Sequence, residues 1–266
     1  MEMQKKGSAV CPKCGKVIER IIPFPLLDGT HRFVNKTVRV ACDCDVAERE
    51  AIDRRMEHEE RMREIEKLRS LSLMDEKLKD VTFSKCQVTE DNRKALGIAK
   101  RYAERFDEMH KMHQGLLFWG NVGTGKSYIA AAIANELLNR NVPVVMTSFV
   151  KLLNEMQGFG SDAGTHIEKI NTAKLLVIDD LGSERGTDYT LEKVYDIVDS
   201  RYRAGKPVIM TTNLTMQQMK ECTDIRYNRI YDRIFEMCYP VYVPGRSWRK
   251  KEAVSRFDRM KELLEV

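Results

Sequence analysis

Between an apolar run, Leu116 to Trp119, and a helical pattern that begins at Lys126 lies a turn made of Gly120, Asn121, Val122, Gly123, Thr124 and Gly125. Lys126, Ser127 and Tyr128 follow directly. The order Gly-x-x-x-x-Gly-Lys-Ser is that of a loop that wraps phosphate. Its glycines let peptide N–H groups turn inward on phosphate oxygens, and a helix starting at Lys126 adds partial positive charge at the same point. Gly120 through Tyr128 are therefore the candidate nucleotide-binding segment. Lys126 is expected to reach the β and γ phosphates of ATP, and the Ser127 hydroxyl to hold Mg²⁺.

The segment 174–182, KLLVIDDLG, reads as a buried strand ending in paired acids. Carboxylates at the C-terminal end of such a strand lie in the ligand crevice of a parallel sheet. Asp179 is expected to hold Mg²⁺ through water, and Asp180 to orient or deprotonate an attacking water. Two adjacent acids repel each other unless a cation is near, which itself points to Mg²⁺. A third apolar run, KPVIMTTNLT, ends in Asn213, whose uncharged amide suits positioning of that water. In the helical pattern DIRYNRIYDRIFEMC, Ile225, Ile230 and Ile234 are expected to face the core. Arg226, Arg229 and Arg233 form one basic stripe. Such a stripe is usually only solvated, but arginine also stabilises charge on a transferring phosphoryl group, often from a neighbouring subunit.

A second chemistry lies near the N-terminus. Cys11 and Cys14 stand in CPKCG, and Cys42 and Cys44 in CDCD. Four thiolates suit a tetrahedral Zn²⁺ and leave no open position for catalysis. A piece of about 45 residues buries too little apolar surface to fold alone, so the metal would supply the missing stability. His31 is an alternative ligand. Two short strands, the second alternating over Phe33 to Val40 after an Asp28-Gly29 turn signal, would bring the cysteine pairs together.

The elements that must position these residues are legible in the same pattern. Apolar runs at 116–119, 142–147, 175–179, 207–212 and 239–243 alternate with helical segments, which predicts an α/β fold: a five-stranded parallel sheet with helices on both faces. Residues 46 to about 70 carry charge of alternating sign with acid-first pairs four apart, Glu50/Arg54, Glu57/Arg61 and Glu59/Arg63, and predict an exposed helix. The expected organisation is a zinc-binding module over 1–45, a charged linker helix over 46–78 and an ATPase domain over 79–266.

The whole chain has 266 residues, 42% hydrophobic and 32% charged, with net charge +5. That mild basicity is compatible with nucleic acid without arguing for it. No apolar run approaches the roughly 20 residues that span a membrane, and no signal-peptide pattern opens the chain. Seven cysteines in such a chain point to metal and reduced thiols, hence to the cytoplasm. Cys86, Cys222 and Cys238 read as plain buried or half-buried side chains.

Residues 79–266 resemble the AAA+ ATPase domain of the DnaC/DnaI helicase-loader family, to which the IstB-type transposition ATPases are also similar. GNVGTGKS, LLVIDDLG, PVIMTTNL, NRIYDRIFE and VPGRSWR, in that order, carry the resemblance. It implies an AAA+ P-loop fold, Asn213 as the sensor asparagine, and Arg229 as the arginine finger with Arg233 beside it. It further implies self-association through the ATPase domain, single-stranded DNA as a ligand, and a hexameric replicative helicase as partner, held by the N-terminal module. The segment 148–174, with Lys151, Lys169 and Lys174, stands where these loaders place DNA-facing helices. GRSWR at 245–249 resembles a C-terminal family motif, but the sequence shows no clear second helical lid with its own sensor arginine, so Arg246 and Arg249 receive no cis-acting role. Other readings are a transposition helper, an ATP-gated binding switch with little turnover, and a small-molecule kinase. In a kinase Asn213 and the arginine stripe have no natural place.

Overall fold

The computed structural model describes residues 9–26, 32–71, 74–157, 163–183 and 187–265. The chain forms two compact units, Met1–Met62 and Arg63–Val266.

In the first unit, strands β1 (Glu19–Pro25) and β2 (Phe33–Arg39) pair antiparallel, Glu19 opposite Arg39 and Pro25 opposite Phe33. The turn expected at Asp28-Gly29, and His31, lie outside the described residues. Helix α1 (Asp43–Leu71) follows. Its stretch from 46 to 63 is exposed, as alternating charge predicts. Of the acid-first pairs, Glu50 and Arg54 approach to 3.8 Å, an exposed contact that adds little stability. The units divide at Met62 and Arg63, inside this helix. Ile65, 2% exposed, already belongs to the core of the second unit.

The second unit runs α2 (Glu76–Lys79), a 3-10 turn (Phe83–Lys85), α3 (Arg93–Glu104), α4 (Phe106–Lys111), β3 (Gly115–Trp119), α5 (Lys126–Asn139), β4 (Val144–Ser148), α6 (Phe149–Gln157), α7 (Ala163–Asn171), β5 (Leu175–Leu181), α8 (Asp188–Arg203), β6 (Val208–Thr212), α9 (Met216–Lys220), α10 (Ile225–Met237), β7 (Cys238–Tyr242) and α11 (Trp248–Leu264). The five strands stand in the order β4-β5-β6-β3-β7, all parallel. Alternate residues of each strand enter opposite cores. Leu116, Phe118, Val144, Val177 and Ile209 pack with α3 and α5, while Leu117, Val145, Leu176, Ile178 and Met210 pack with α6, α8 and α10. Burial on both faces is why the strands read as unbroken apolar runs.

Candidate active site

The phosphate loop leaves the end of β3, the acid pair the end of β5, and Asn213 the end of β6. These three strands are neighbours, and all their C-terminal ends open on one edge of the sheet. Gly125, with φ +95°, forms the N-cap of α5, so the helix begins at Lys126. Gly123 has φ +82°, and a Cβ there would lie 2.2 Å from the Ser247 hydroxyl, so a side chain would be strained and would displace Ser247. The Trp248 N–H, at the start of α11, donates to the Gly123 carbonyl at 2.9 Å. The VPGRSWR segment thus seats directly on the phosphate loop.

Lys126 is 6% exposed. Its ammonium donates to the Gly120 and Asn121 carbonyls at 2.9 and 2.7 Å and to Asn213 Oδ1 at 2.8 Å. Asn213 Nδ2 donates in turn to Asp180 Oδ1 at 2.9 Å. An ammonium only donates and a carboxylate only accepts, so the amide can bridge them in one orientation alone. Burial pulls the Lys126 pKa down, opposed by the charges of Asp180 and Asp179, while Arg249 is near enough to add to the lowering. The charge of Arg249, left without a role in the sequence, therefore acts on this site. The Ser127 hydroxyl has no hydrogen-bond partner among the described residues, whereas the loop residue Thr124 donates to the Asn121 carbonyl at 3.0 Å. Val122 is 60% exposed.

The acid pair sits on an irregularity. β5 shifts register against β6 between Ile178 and Leu181, and Asp180 adopts φ +62°, a region that aspartate tolerates better than most side chains. One buried hydroxyl holds the bulge. Thr211 Oγ1 accepts the Asp180 N–H at 2.9 Å and donates to Asp179 Oδ1 at 2.6 Å. The sequence gives only a faint sign of this, the threonine pair just before Asn213. Thr211→Val should therefore strand the Asp180 N–H and free the Asp179 carboxylate. We expect ATP binding to need severalfold more Mg²⁺ for half-saturation, with Thr211→Ser restoring it. A lowered melting temperature with an unchanged Mg²⁺ requirement would reduce Thr211 to a packing role.

The three stripe arginines part company. Arg226 pairs with Asp224 at 2.6 Å and with Asp188, and pulls the Asp224 carboxyl down to about 2. Arg233 turns inward to Asp199 at 2.8 Å and the Tyr195 hydroxyl at 2.8 Å, its guanidinium 4.7 Å from the Tyr195 ring centre. Arg229 is exposed, and its side chain has no partner among the described residues. Ile230 and Ile234 are buried as expected, but Ile225 is 66% exposed. It opens the helix beside the capping Asp224, a position that faces solvent.

In the segment 148–174, Phe149, Leu152, Met156 and Ile170 enter the second core. Lys151 pairs with Asp75, while Lys169 and Lys174 are exposed. Residues 158–162, between the two helices there, lie outside the described residues.

In the first unit the sulfurs of Cys11, Cys14, Cys42 and Cys44 all lie within 4.8 Å of one another. Zinc with bonds of about 2.3 Å holds tetrahedral sulfurs roughly 3.8 Å apart, so the donor set fits with small adjustment. The Cys-x-Cys half follows from local structure: Cys42 immediately precedes α1 and Cys44 lies in its first turn. The helix end favours thiolate there. On the other half, the turn closes with the Gly15 N–H on the Cys11 carbonyl at 2.8 Å. Peptide N–H groups, that of Cys14 foremost, pull the Cys11 thiol down to about 7. Lys13–Glu48, at 2.6 Å, and Lys16–Asp43 tie this turn to α1. Of the remaining cysteines, Cys238 is buried and Cys86 and Cys222 are half-buried. No helix among the described residues is long and apolar enough to cross a membrane.

The sequence model of the IstB-like ATP binding protein family matches residues 26–255. The replicative helicase loader DnaC of Escherichia coli K12 is 33% identical over 144 residues, which cover 53% of this chain and 56% of that protein. The chain thus spans little more than half the length of that relative. The uncharacterized protein YdaV of the same strain is 29% identical over 224 residues, 83% of this chain and 87% of YdaV. Among solved structures, DnaI superposes with a TM-score of 0.56 at 28% identity, covering 66% of this chain and 94% of DnaI. The DnaC helicase loader superposes with a TM-score of 0.54 at 22% identity, covering 64% and 100%, and carries the fold alone.

Proposed function

Since the chain belongs to the IstB-like ATP-binding family, we propose that it is an ATPase that loads a hexameric replicative helicase onto single-stranded DNA. The observation that carries this reading is the convergence of the phosphate loop, the acid pair and Asn213 on one sheet edge, with a single stripe arginine, Arg229, left outward.

In this reading Gly120 to Tyr128 wrap the triphosphate of ATP, and Lys126 leaves its internal acceptors for the β and γ phosphates. Ser127 and Asp179 would hold Mg²⁺, which when bound neutralises phosphate charge. Asp180 takes the proton of the attacking water, and Asn213 fixes that water beside it. Arg229 cannot serve its own site if it points outward to a second copy, so the active assembly is an oligomer closed through the ATPase domain. The N-terminal module, residues 1–45, with zinc on the four cysteines, would hold the helicase, and the exposed Lys169 and Lys174 lie on the segment proposed to meet DNA.

Arg229→Ala should bind ATP normally but neither hydrolyse it nor load helicase on single-stranded DNA. Mixed with Lys126→Ala it should recover part of the rate in mixed interfaces. No recovery, with assembly demonstrated, would return Arg229 to a role within its own subunit. Wild-type protein that hydrolyses ATP but never loads the source organism's helicase would leave the transposition-helper reading, which the family name equally supports.

A further inference from the structure

The hairpin of the first unit has strands but almost no core. Among the described residues the buried ones, Cys11, Ile18 and Cys42, gather at the cysteine cluster. Beyond them β1 and β2 expose nearly every side chain, including Phe24 at 45% and Phe33 at 66%. A two-stranded hairpin in water is marginal by itself.

Its two outer edges are not alike. The Leu26 N–H donates to the Arg32 carbonyl at 2.8 Å and the Val40 N–H to the Ile18 carbonyl at 2.7 Å. With the register of Glu19 opposite Arg39, even-numbered residues therefore bond across the hairpin and odd-numbered residues turn their N–H groups outward. On β1 the outward positions are Glu19, Ile21, Pro23 and Pro25, and the two prolines have no N–H, so that edge cannot carry a ladder along its length. On β2 they are Phe33, Asn35, Thr37 and Arg39, all exposed, none of them proline, and their backbone groups have no hydrogen-bond partner among the described residues. Proline on one edge only is selective protection. The open strand, FVNKTVR, and the preceding Arg32 carry cations and no acid. Lys36 lies over the Phe24 ring on one face, and Arg39 reaches Asp45 only at 3.9 Å.

We propose that the outer edge of β2 takes an extended acidic segment of the partner protein as a third strand. The ladder groups of Phe33, Asn35 and Thr37 supply affinity, and Arg32 and Lys36 select acidic side chains on the incoming strand. The inference rests on the reading that this unit holds the replicative helicase.

The experiment uses the full chain loaded with zinc and the source organism's helicase. In the free protein the amides of Phe33, Asn35 and Thr37 should exchange fast with solvent, and those of Val34, Lys36 and Val38 slowly. In the complex the first three should slow by about tenfold or more, as ladder donors do. Asn35→Pro removes one outward donor and should weaken binding by about tenfold or more, with zinc content retained. Ile21→Pro, on the edge already closed, should leave affinity unchanged. Unslowed amides in a formed complex, or equal losses for the two proline variants, overturn the edge assignment while the docking reading stands. A wild-type chain that binds no helicase overturns both.

Discussion

Lys126→Ala is expected to raise the dissociation constant for ATP by about a hundredfold or more, the loss of roughly two charge-assisted contacts to phosphate. The sequence alone suggests that the lysine compensates phosphate and little else. The structure gives it more to do. Its buried ammonium is the shared donor to the Gly120 and Asn121 carbonyls and to Asn213. Truncation leaves those acceptors to water and releases Asn213 to Asp180 alone, so the melting temperature should also fall, by roughly 2–6 °C. Calorimetric titration with ATP and a thermal melt check both parts. Undiminished ATP affinity would remove the loop's assignment as the phosphate cradle.

The second large effect is metal removal. Elemental analysis of protein purified without chelator should find one zinc per chain, lost in Cys42→Ser. Among the described residues, those buried in the first unit are two of the four cysteines and Ile18, so stripping the metal should unfold that unit outright, because binding free energy there is folding free energy. The second unit has its own two cores and should keep its cooperative melt. Zinc absent from native protein, or a hairpin that stays folded after chelation, would sink the assignment. His31→Ala should be harmless to zinc content.

What the sequence disclosed follows from local physics. Strands buried on both faces read as apolar runs, and the runs differ from the strands by at most a few residues at their ends. The apolar runs take in Val142, Pro143 and Pro207, whereas the strands begin at Val144 and Val208; proline supplies no N–H to a ladder. The phosphate loop was legible because its chemistry is contiguous. Features that depend on two distant segments were not. Nothing in the arginine stripe told that Asp188 and Asp199, both on α8, would claim Arg226 and Arg233 and leave Arg229. Nothing marked Arg201, which is fully buried and donates to the carbonyls of Ala173, Lys174 and Pro207, its pKa pushed down to about 9 by burial. Thr211 is hidden for the same reason: its two bonds cross from β6 to β5.

The strand order also fixes a timetable. β3, which launches the phosphate loop, has as its sheet neighbours β6 and β7, with Leu116 opposite Ile209 and Gly115 opposite Cys238. On a ribosome neither neighbour exists until most of the chain has been made, and such long-range parallel pairing is slow in any case. The apolar β3 must wait unpaired, and this is the interval in which the nascent chain is most exposed to aggregation. The cysteine unit is complete by Met62. It can fold around its four cysteines while the second unit is still unmade, so if this unit holds the partner, as proposed, capture can precede nucleotide binding in the life of each molecule.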